Sequence, residues 1–339
     1  LAGISINLST ILISFVLDTF IYALLAWYIN IVFPGTYGVP QPFYFFITPR
    51  YWRGDKYVKQ SISDANFTTP INPSDNYEQE PTDLKLAVDI SNLFKIYGNG
   101  TKALDGLNMR FYESQITALL GHNGAGKTTA ISILTGLLQA TSGAVFVYGL
   151  NFQKYMRTIR SFIGICPQYN ILFDKLTVTE QLKFYGTLKG IPENQLNDEV
   201  YETMENLGLI ASKDKLVSYL SGKLRSGMKR KLCIGIALIG GSKLVILDEP
   251  TAGVDARARR SIWDILIKNK EGLKNKEPFL GRTVILSTHR MDEADILADR
   301  IAIISKGQLQ VAGSPLFLKK KFGNGLYLNI LKTSSIKLF

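Results

Sequence analysis

Cysteine and histidine are both scarce in this 339-residue chain, with two of each, and Cys166 and Cys233 stand far apart with no metal-ligand spacing around them. This argues against a disulfide framework and a zinc site, and makes a reduced, cytosolic environment the default. Acidic side chains are also in deficit, 28 against 39 basic ones, for a formal charge of +11. Such a surplus suits nucleic acid, an anionic membrane face or a polyphosphate ligand. No basic tract is interleaved with aromatics, and Lys319-Lys320-Lys321 reads as a solvated helix face, so nucleic acid is not expected as a partner. There is no signal-peptide pattern and no evident internal repeat. What the chain does have is apolar residues, 46% of the total, enough to exclude wholesale disorder and to build one large domain or two smaller ones.

Ile11 to Val32 is an almost uninterrupted hydrophobic stretch, long enough to cross a bilayer, and is expected to be one transmembrane helix, with a buried helix of a soluble protein as the alternative. Trp27 and Tyr28 lie near one end, as amphipathic rings at an interface do, and Pro34-Gly35 follows as a stop. Asp18 in mid-span would cost about 2.5–3.5 kcal/mol if it faced lipid, so further membrane helices are expected beside this one. Pro42-Phe43-Tyr44-Phe45-Phe46 and Tyr51-Trp52 suit either an interfacial segment or a small packed subdomain, ahead of a polar linker. Strand-like runs alternating with helical stretches then begin near Leu84, the pattern of an α/β domain. The expected organisation is a membrane helix over 1–33, an interfacial segment and linker over 34–83, an α/β domain over 84–325 and an extension over 326–339.

Two sites in that domain carry chemistry. Gly121-His122-Asn123-Gly124-Ala125-Gly126-Lys127-Thr128-Thr129 follows the apolar run Ile116 to Leu120 and precedes a helix expected from Thr129 to Leu138. This is the spacing and context of a phosphate-binding P-loop. Glycines let the backbone turn its N–H groups onto phosphate, and the helix N-terminus adds positive potential. Lys127 would reach the β- and γ-phosphates and Thr128 would ligate Mg²⁺, whereas His122 occupies a position that the motif leaves free. The second site is Leu244-Val245-Ile246-Leu247-Asp248-Glu249, a buried-strand pattern that delivers two acids to the edge where α/β sheets bind ligands. Asp248 is expected to hold Mg²⁺ and Glu249 to act as general base on the attacking water. Joint occurrence, in this order, indicates a nucleotide hydrolase.

Further strings fall in sequence around these sites: Lys95-Ile96-Tyr97, Cys166-Pro167-Gln168, Leu220-Ser221-Gly222, Ala252-Gly253-Val254-Asp255 and Ser287-Thr288-His289. With Gly227-Met228-Lys229-Arg230-Lys231-Leu232, Pro250-Thr251-Ala252-Gly253 and Met291-Asp292-Glu293-Ala294-Asp295, the chain resembles an ATP-binding-cassette (ABC) transporter of the A subfamily of lipid-moving exporters over nearly its whole length. The resemblance implies a P-loop NTPase cassette, with a parallel-sheet core and antiparallel-β and helical subdomains. It implies ATP and Mg²⁺ as ligands, adenine stacked on Tyr97, and Gln168 reaching Mg²⁺ or the lytic water. His289 would be the switch residue at the γ-phosphate. Ser221, Gly222, Gly227 and Asp255 would serve the signature and D-loop contacts to a second cassette. Membrane domains, a lipid substrate, and an integral membrane location with the cassette in the cytosol are implied as well.

Two features depart from the family pattern. Lys223-Leu224-Arg225-Ser226 separates Ser221-Gly222 from Gly227, where the family runs on without a break, and a second extra stretch occupies 273–281. Either could be retained non-coding sequence. If the first is genuine, the expectation is a cassette that binds ATP yet pairs or hydrolyses poorly. Lipid export driven by ATP hydrolysis thus stands beside a regulatory cassette with little turnover and a soluble ABC ATPase outside transport.

Overall fold

The computed structural model describes residues 8–33, 43–47, 76–219, 226–271 and 281–323. Helix α1 spans Leu8–Val32, starting three residues before the expected run, and its apolar side chains are exposed along almost its whole length. Just beyond it, the short 3₁₀ turn Phe45–Ile47 folds back on the helix end. Phe45 is buried there against Trp27 and Tyr28, with ring centroids 5.2 and 6.0 Å away, and the Tyr28 hydroxyl donates to Phe43 O at 3.1 Å.

The α/β domain contains two sheets. Strands β1 (Leu86–Ile96), β2 (Lys102–Tyr112), β4 (Ser142–Val147) and β5 (Leu150–Asn151) form an antiparallel sheet in the order β2-β1-β4-β5. Strands β3 (Ile116–Leu120), β6 (Ile163–Cys166), β7 (Leu244–Asp248), β8 (Thr283–Thr288), β9 (Arg300–Ser305) and β10 (Gln308–Gly313) form the other, in the order β10-β9-β3-β8-β7-β6. Its members from β9 to β6 are parallel, and β10 pairs antiparallel with β9 at the edge. These are the two sheets that the family resemblance implies. Every residue of β7 is buried, which is why its sequence is a continuous apolar run and not an alternating one.

Both faces of the large sheet are covered. On one side Val245, Leu247 and Leu286 pack with Leu182 of α4 (Val178–Leu188), Met204 of α5 (Glu193–Leu207), Leu232 of α6 (Ser226–Leu238) and Leu266 of α7 (Ala256–Glu271). Leu297 of α8 (Met291–Leu297) joins the same cluster. On the other side Ile246, Ile285 and Ile304 meet Ile131 of α2 (Lys127–Leu134), Ile159 of α3 (Met156–Phe162) and the inner face of the antiparallel sheet through Val88, Leu107 and Phe111. Local signals start and stop these helices. Thr177 and Glu180 form a reciprocal capping box at the start of α4, and Gly208 at φ 66° closes α5. Helix α2 begins two residues before its expected start, directly after the left-handed Gly126, and ends four residues early, ahead of Gly136 at φ 71°.

Residues 77–80 lie against the edge of the large sheet. Tyr77 bridges Ala312 and its hydroxyl donates to Leu309 O at 2.8 Å, while Glu78 N donates to Ala312 O at 2.9 Å. Ser314, the N-cap of α9 (Pro315–Phe322), donates its hydroxyl to Glu78 Oε1 at 2.8 Å, and Arg110 Nη1 donates to Glu80 Oε2 at 2.6 Å. Cys166 and Cys233, distant in sequence, come together in the interior as reduced thiols, the Cys233 thiol donating to Cys166.

Candidate functional site

The site forms where β3, β6, β7 and β8 end side by side. From β3 the chain enters Gly121–Gly126 and then α2. Gly124 and Gly126 take φ of 81° and 107°, which a side chain would strain, and a Cβ at Gly126 would come within 2.6 Å of Ala103 O. The loop is stitched by Ala125 N donating to His122 O at 3.1 Å and by Gly307 N donating to Ala125 O at 2.9 Å. Lys127 is buried and donates to Gly121 O at 2.6 Å and to His122 O at 3.1 Å. Burial draws its ammonium below the usual lysine range, against the opposing pull of Glu249 and Asp248. Thr128 faces solvent, Thr129 lies 3.3 Å from the Tyr97 hydroxyl, and the His122 ring turns onto Asn123 O at 2.8 Å. Tyr97 stands half-exposed just past β1, with Lys95 Nζ 5.5 Å from its ring centre.

Strand β7 delivers the acids. Asp248 is buried, and its Oδ1 accepts from the Ser287 hydroxyl on β8. That same hydroxyl accepts from Glu249 N at 3.0 Å, so one serine ties the Asp248 carboxylate to the Glu249 backbone. Glu249 adopts a left-handed backbone at φ 46°, a conformation that costs a non-glycine residue about 1–3 kcal/mol and that recurs at functional turns. Its side chain joins two of the sequence-expected partners: Gln168 Nε2 donates to Oε2 at 3.3 Å and His289 Nδ1 donates to Oε1 at 3.0 Å. Lys127, Gln168, Asp248, Glu249 and His289 thus converge on one edge.

Other expected residues lie elsewhere. Asp255 accepts from Ala258 N at 3.1 Å and caps the start of α7. Gly227 lies in the first turn of α6, where a Cβ would come within 2.5 Å of Ala258 Cβ, so it permits close packing of α6 on α7. Ser221 and Gly222, residues 223–225 of the four-residue interruption, most of 273–281 and the whole of 326–339 lie outside the described residues.

The structure adds three residues that sequence reasoning had left without a role. Ser287 is one. Glu293, in the first turn of α8, accepts from the hydroxyls of Thr251 at 3.0 Å and Thr288 at 2.7 Å. Arg230 of α6 is the third and reaches the loops after β6 and β7. Among the described residues no cluster of three or more His, Cys, Asp or Glu side chains could cage a metal ion. The donor set here, Asp248 with the Thr128 hydroxyl and the Gln168 amide, instead fits Mg²⁺, which keeps waters and takes few carboxylates when phosphate supplies the rest.

The family model described as ABC transporter matches residues 104–252. Similar curated relatives include the glucosylceramide transporter ABCA12 of Mus musculus, 47% identical over 343 residues, covering 95% of this chain and 13% of that protein. Another is the phospholipid-transporting ATPase ABCA3 of Rattus norvegicus, 47% identical over 320 residues, covering 93% of this chain and 18% of that protein. The chain therefore spans less than a fifth of the length of these relatives. Among solved structures, cbiO1 of Clostridium perfringens, part of the ABC transporter complex cbiONQ, is similar at 28% identity and a TM-score of 0.62, over 70% of this chain and 92% of that one.

Proposed function

Since this chain belongs to the ABC transporter family, A subfamily, we propose that its cassette binds and hydrolyses ATP with Mg²⁺, and that hydrolysis drives lipid translocation through a membrane domain that includes α1. The observation that carries this reading is the Glu249 carboxylate, held between Gln168 and His289 beside the phosphate loop.

Adenine stacks on Tyr97 and the triphosphate lies along the N–H groups of the 121–129 loop. Lys127 exchanges its two carbonyl contacts for the β- and γ-phosphate oxygens, which return the ammonium to an anionic environment. Thr128, Asp248 and Gln168 would hold Mg²⁺, which would neutralise charge on the β- and γ-phosphates. Glu249 orients the attacking water and takes its proton, and His289, one bond from that carboxylate, faces the γ-phosphate and reports its departure. Ser221, Gly222, Gly227 and Asp255 serve the face toward a second cassette, whose closure on ATP moves the membrane helices. The relatives' names support the lipid class, and α1 together with those relatives supports a membrane location with a cytosolic cassette.

A regulatory cassette with little turnover is the second reading, favoured by the four residues between Gly222 and Gly227. The test measures Mg²⁺-dependent ATP binding and hydrolysis by the full-length protein in lipid. Wild type hydrolyses, Glu249→Gln binds and traps ATP, and Lys127→Ala fails to bind. Absence of Mg²⁺-dependent nucleotide affinity overturns both readings, while binding without turnover selects the second.

A further inference from the structure

Arg230 is 2% exposed, the largest of the fully buried side chains, and sits in the second turn of α6. A buried guanidinium requires an acceptor for each of its donors. Here the acceptors are neutral and nearly all backbone. Nε donates to Pro250 O at 2.8 Å, and Nη2 donates to Asp248 O at 2.7 Å and Glu249 O at 2.9 Å. On the other side Nη1 donates to Pro167 O at 2.6 Å and Gln168 O at 3.1 Å, with Asn170 Oδ1 at 3.4 Å.

The planar fork therefore grips two loops at once. One is the turn after β7, three consecutive carbonyls that include that of Glu249, whose left-handed backbone needs external support. The other is the loop after β6 that carries Gln168. The side chains of Glu249 and Gln168 meet at 3.3 Å on the far side of these backbones. One cation on α6 thus fixes the spacing between the residue that takes the proton from water and the amide beside it. The helix that carries it begins at Ser226, the last of the four interrupting residues.

We propose that Arg230 is a positioning residue for ATP hydrolysis, holding Glu249 and Gln168 in register without touching the nucleotide and passing displacements of the α6 N-terminus to both. The proposal rests on the hydrolytic reading above. Lysine cannot substitute, because a single ammonium lacks the fork that spans two loops.

The test is steady-state ATPase kinetics of the full-length protein in liposomes, with thermal unfolding in parallel. Arg230→Lys is expected to lower kcat on the order of 10–100-fold, as a misplaced base does, and to leave KM for ATP within about twofold. In a Glu249→Gln background, the same substitution is expected to leave MgATP binding unchanged. Unaltered kcat overturns the proposal. So does a parallel collapse of kcat, nucleotide binding and thermal midpoint, which would mark a role in the fold alone. Should Arg230→Lys fail to fold, Arg230→Gln is measured in the same way, and failure of both to fold also overturns it. A wild type without turnover instead sinks the hydrolytic reading on which the proposal rests.

Discussion

Replacing Glu293 tests whether the catalytic edge is fastened by polar ties or only by the apolar core beneath it. The carboxylate is 1% exposed and receives two hydroxyls, Thr251 Oγ1 at 3.0 Å and Thr288 Oγ1 at 2.7 Å, both from buried threonines. Thr251 follows the Asp248-Glu249-Pro250 turn and Thr288 precedes His289, so Glu293 links the ends of neighbouring strands β7 and β8. Its place in the first turn of α8 lets the helix dipole favour the negative charge. In Glu293→Gln the shape is kept, but two bonds to an anion, each worth about 1.5–3 kcal/mol, become neutral bonds worth roughly 0.5–1.5, for a net loss of about 2 kcal/mol. Glu293→Ala leaves two buried hydroxyl donors without an acceptor at about 1–3 kcal/mol each, although Thr288 Oγ1 still accepts from Arg290 N at 3.0 Å; with the recovered cost of desolvating a carboxylate set against this, the net loss is about 2–4 kcal/mol. Equilibrium urea unfolding of the detergent-solubilised protein, with the m-value checked for constancy, gives the order wild type, then Gln, then Ala. Double-mutant cycles with Thr251→Val and Thr288→Val should each show coupling of about 0.5 kcal/mol or more. An alanine variant as stable as wild type, or coupling near zero in both cycles, refutes the reasoning.

Gly164→Ala is expected to cost more than about 3 kcal/mol, because the new methyl would overlap Ala237 O and lie 2.9 Å from Ser242 Oγ, a clash with backbone that repacking cannot relieve; near-normal thermal stability would contradict this. Burial, with Arg282 nearby, pulls Lys189 down to about 8. Between that value and the ordinary lysine range the unfolded chain holds a proton that the folded chain has released, so stability rises with pH from about 8 to 10. Lys189→Met should flatten that rise in pH-dependent unfolding, and parallel curves would contradict the assignment. Tyr97→Phe should leave ATP affinity within about threefold, while Tyr97→Ala, losing a stack worth about 1–3 kcal/mol, should weaken it roughly 5–150-fold in an equilibrium binding titration.

The phosphate loop and the acidic strand end were legible because their demands are local. Left-handed glycines, a lysine at fixed spacing and a fully buried strand each leave a contiguous mark. Strand β2 left only a partial mark: Leu107, Met109 and Phe111 keep the two-residue period, but Leu104 and Leu107 are three residues apart because register shifts interrupt its pairing with β1. Strand β6 has four residues, one of them glycine, and the edge strand β10 interleaves Gln308 and Gln310 with Leu309 and Val311, so neither makes a continuous apolar run. Arg230 was hidden by its neighbours, since Lys229-Arg230-Lys231 reads as a solvated basic face. Its acceptors are carbonyls 18 to 63 residues away, which no side-chain pattern records. The one available signal was an arginine in a helix whose next turn, Leu232-Cys233-Ile234, is wholly apolar.

The fastenings are polar for a physical reason. Loops that leave the ends of parallel strands carry carbonyl and N–H groups without ladder partners, and apolar packing around them would leave those groups unsatisfied in the interior. Arg230, Ser287 and Glu293 supply donors and acceptors while fixing where the strand ends stand relative to one another. The two apolar clusters lie on either side of the sheet, and the first of them reaches up to the strand ends through Cys166, Leu247 and Leu286. The polar ties therefore set the geometry of the edge and add to stability, whereas the clusters contribute to stability alone. A conservative change in a cluster should lower the unfolding midpoint before it lowers kcat, whereas a shape-conserving change in a polar tie such as Glu293→Gln should lower both together.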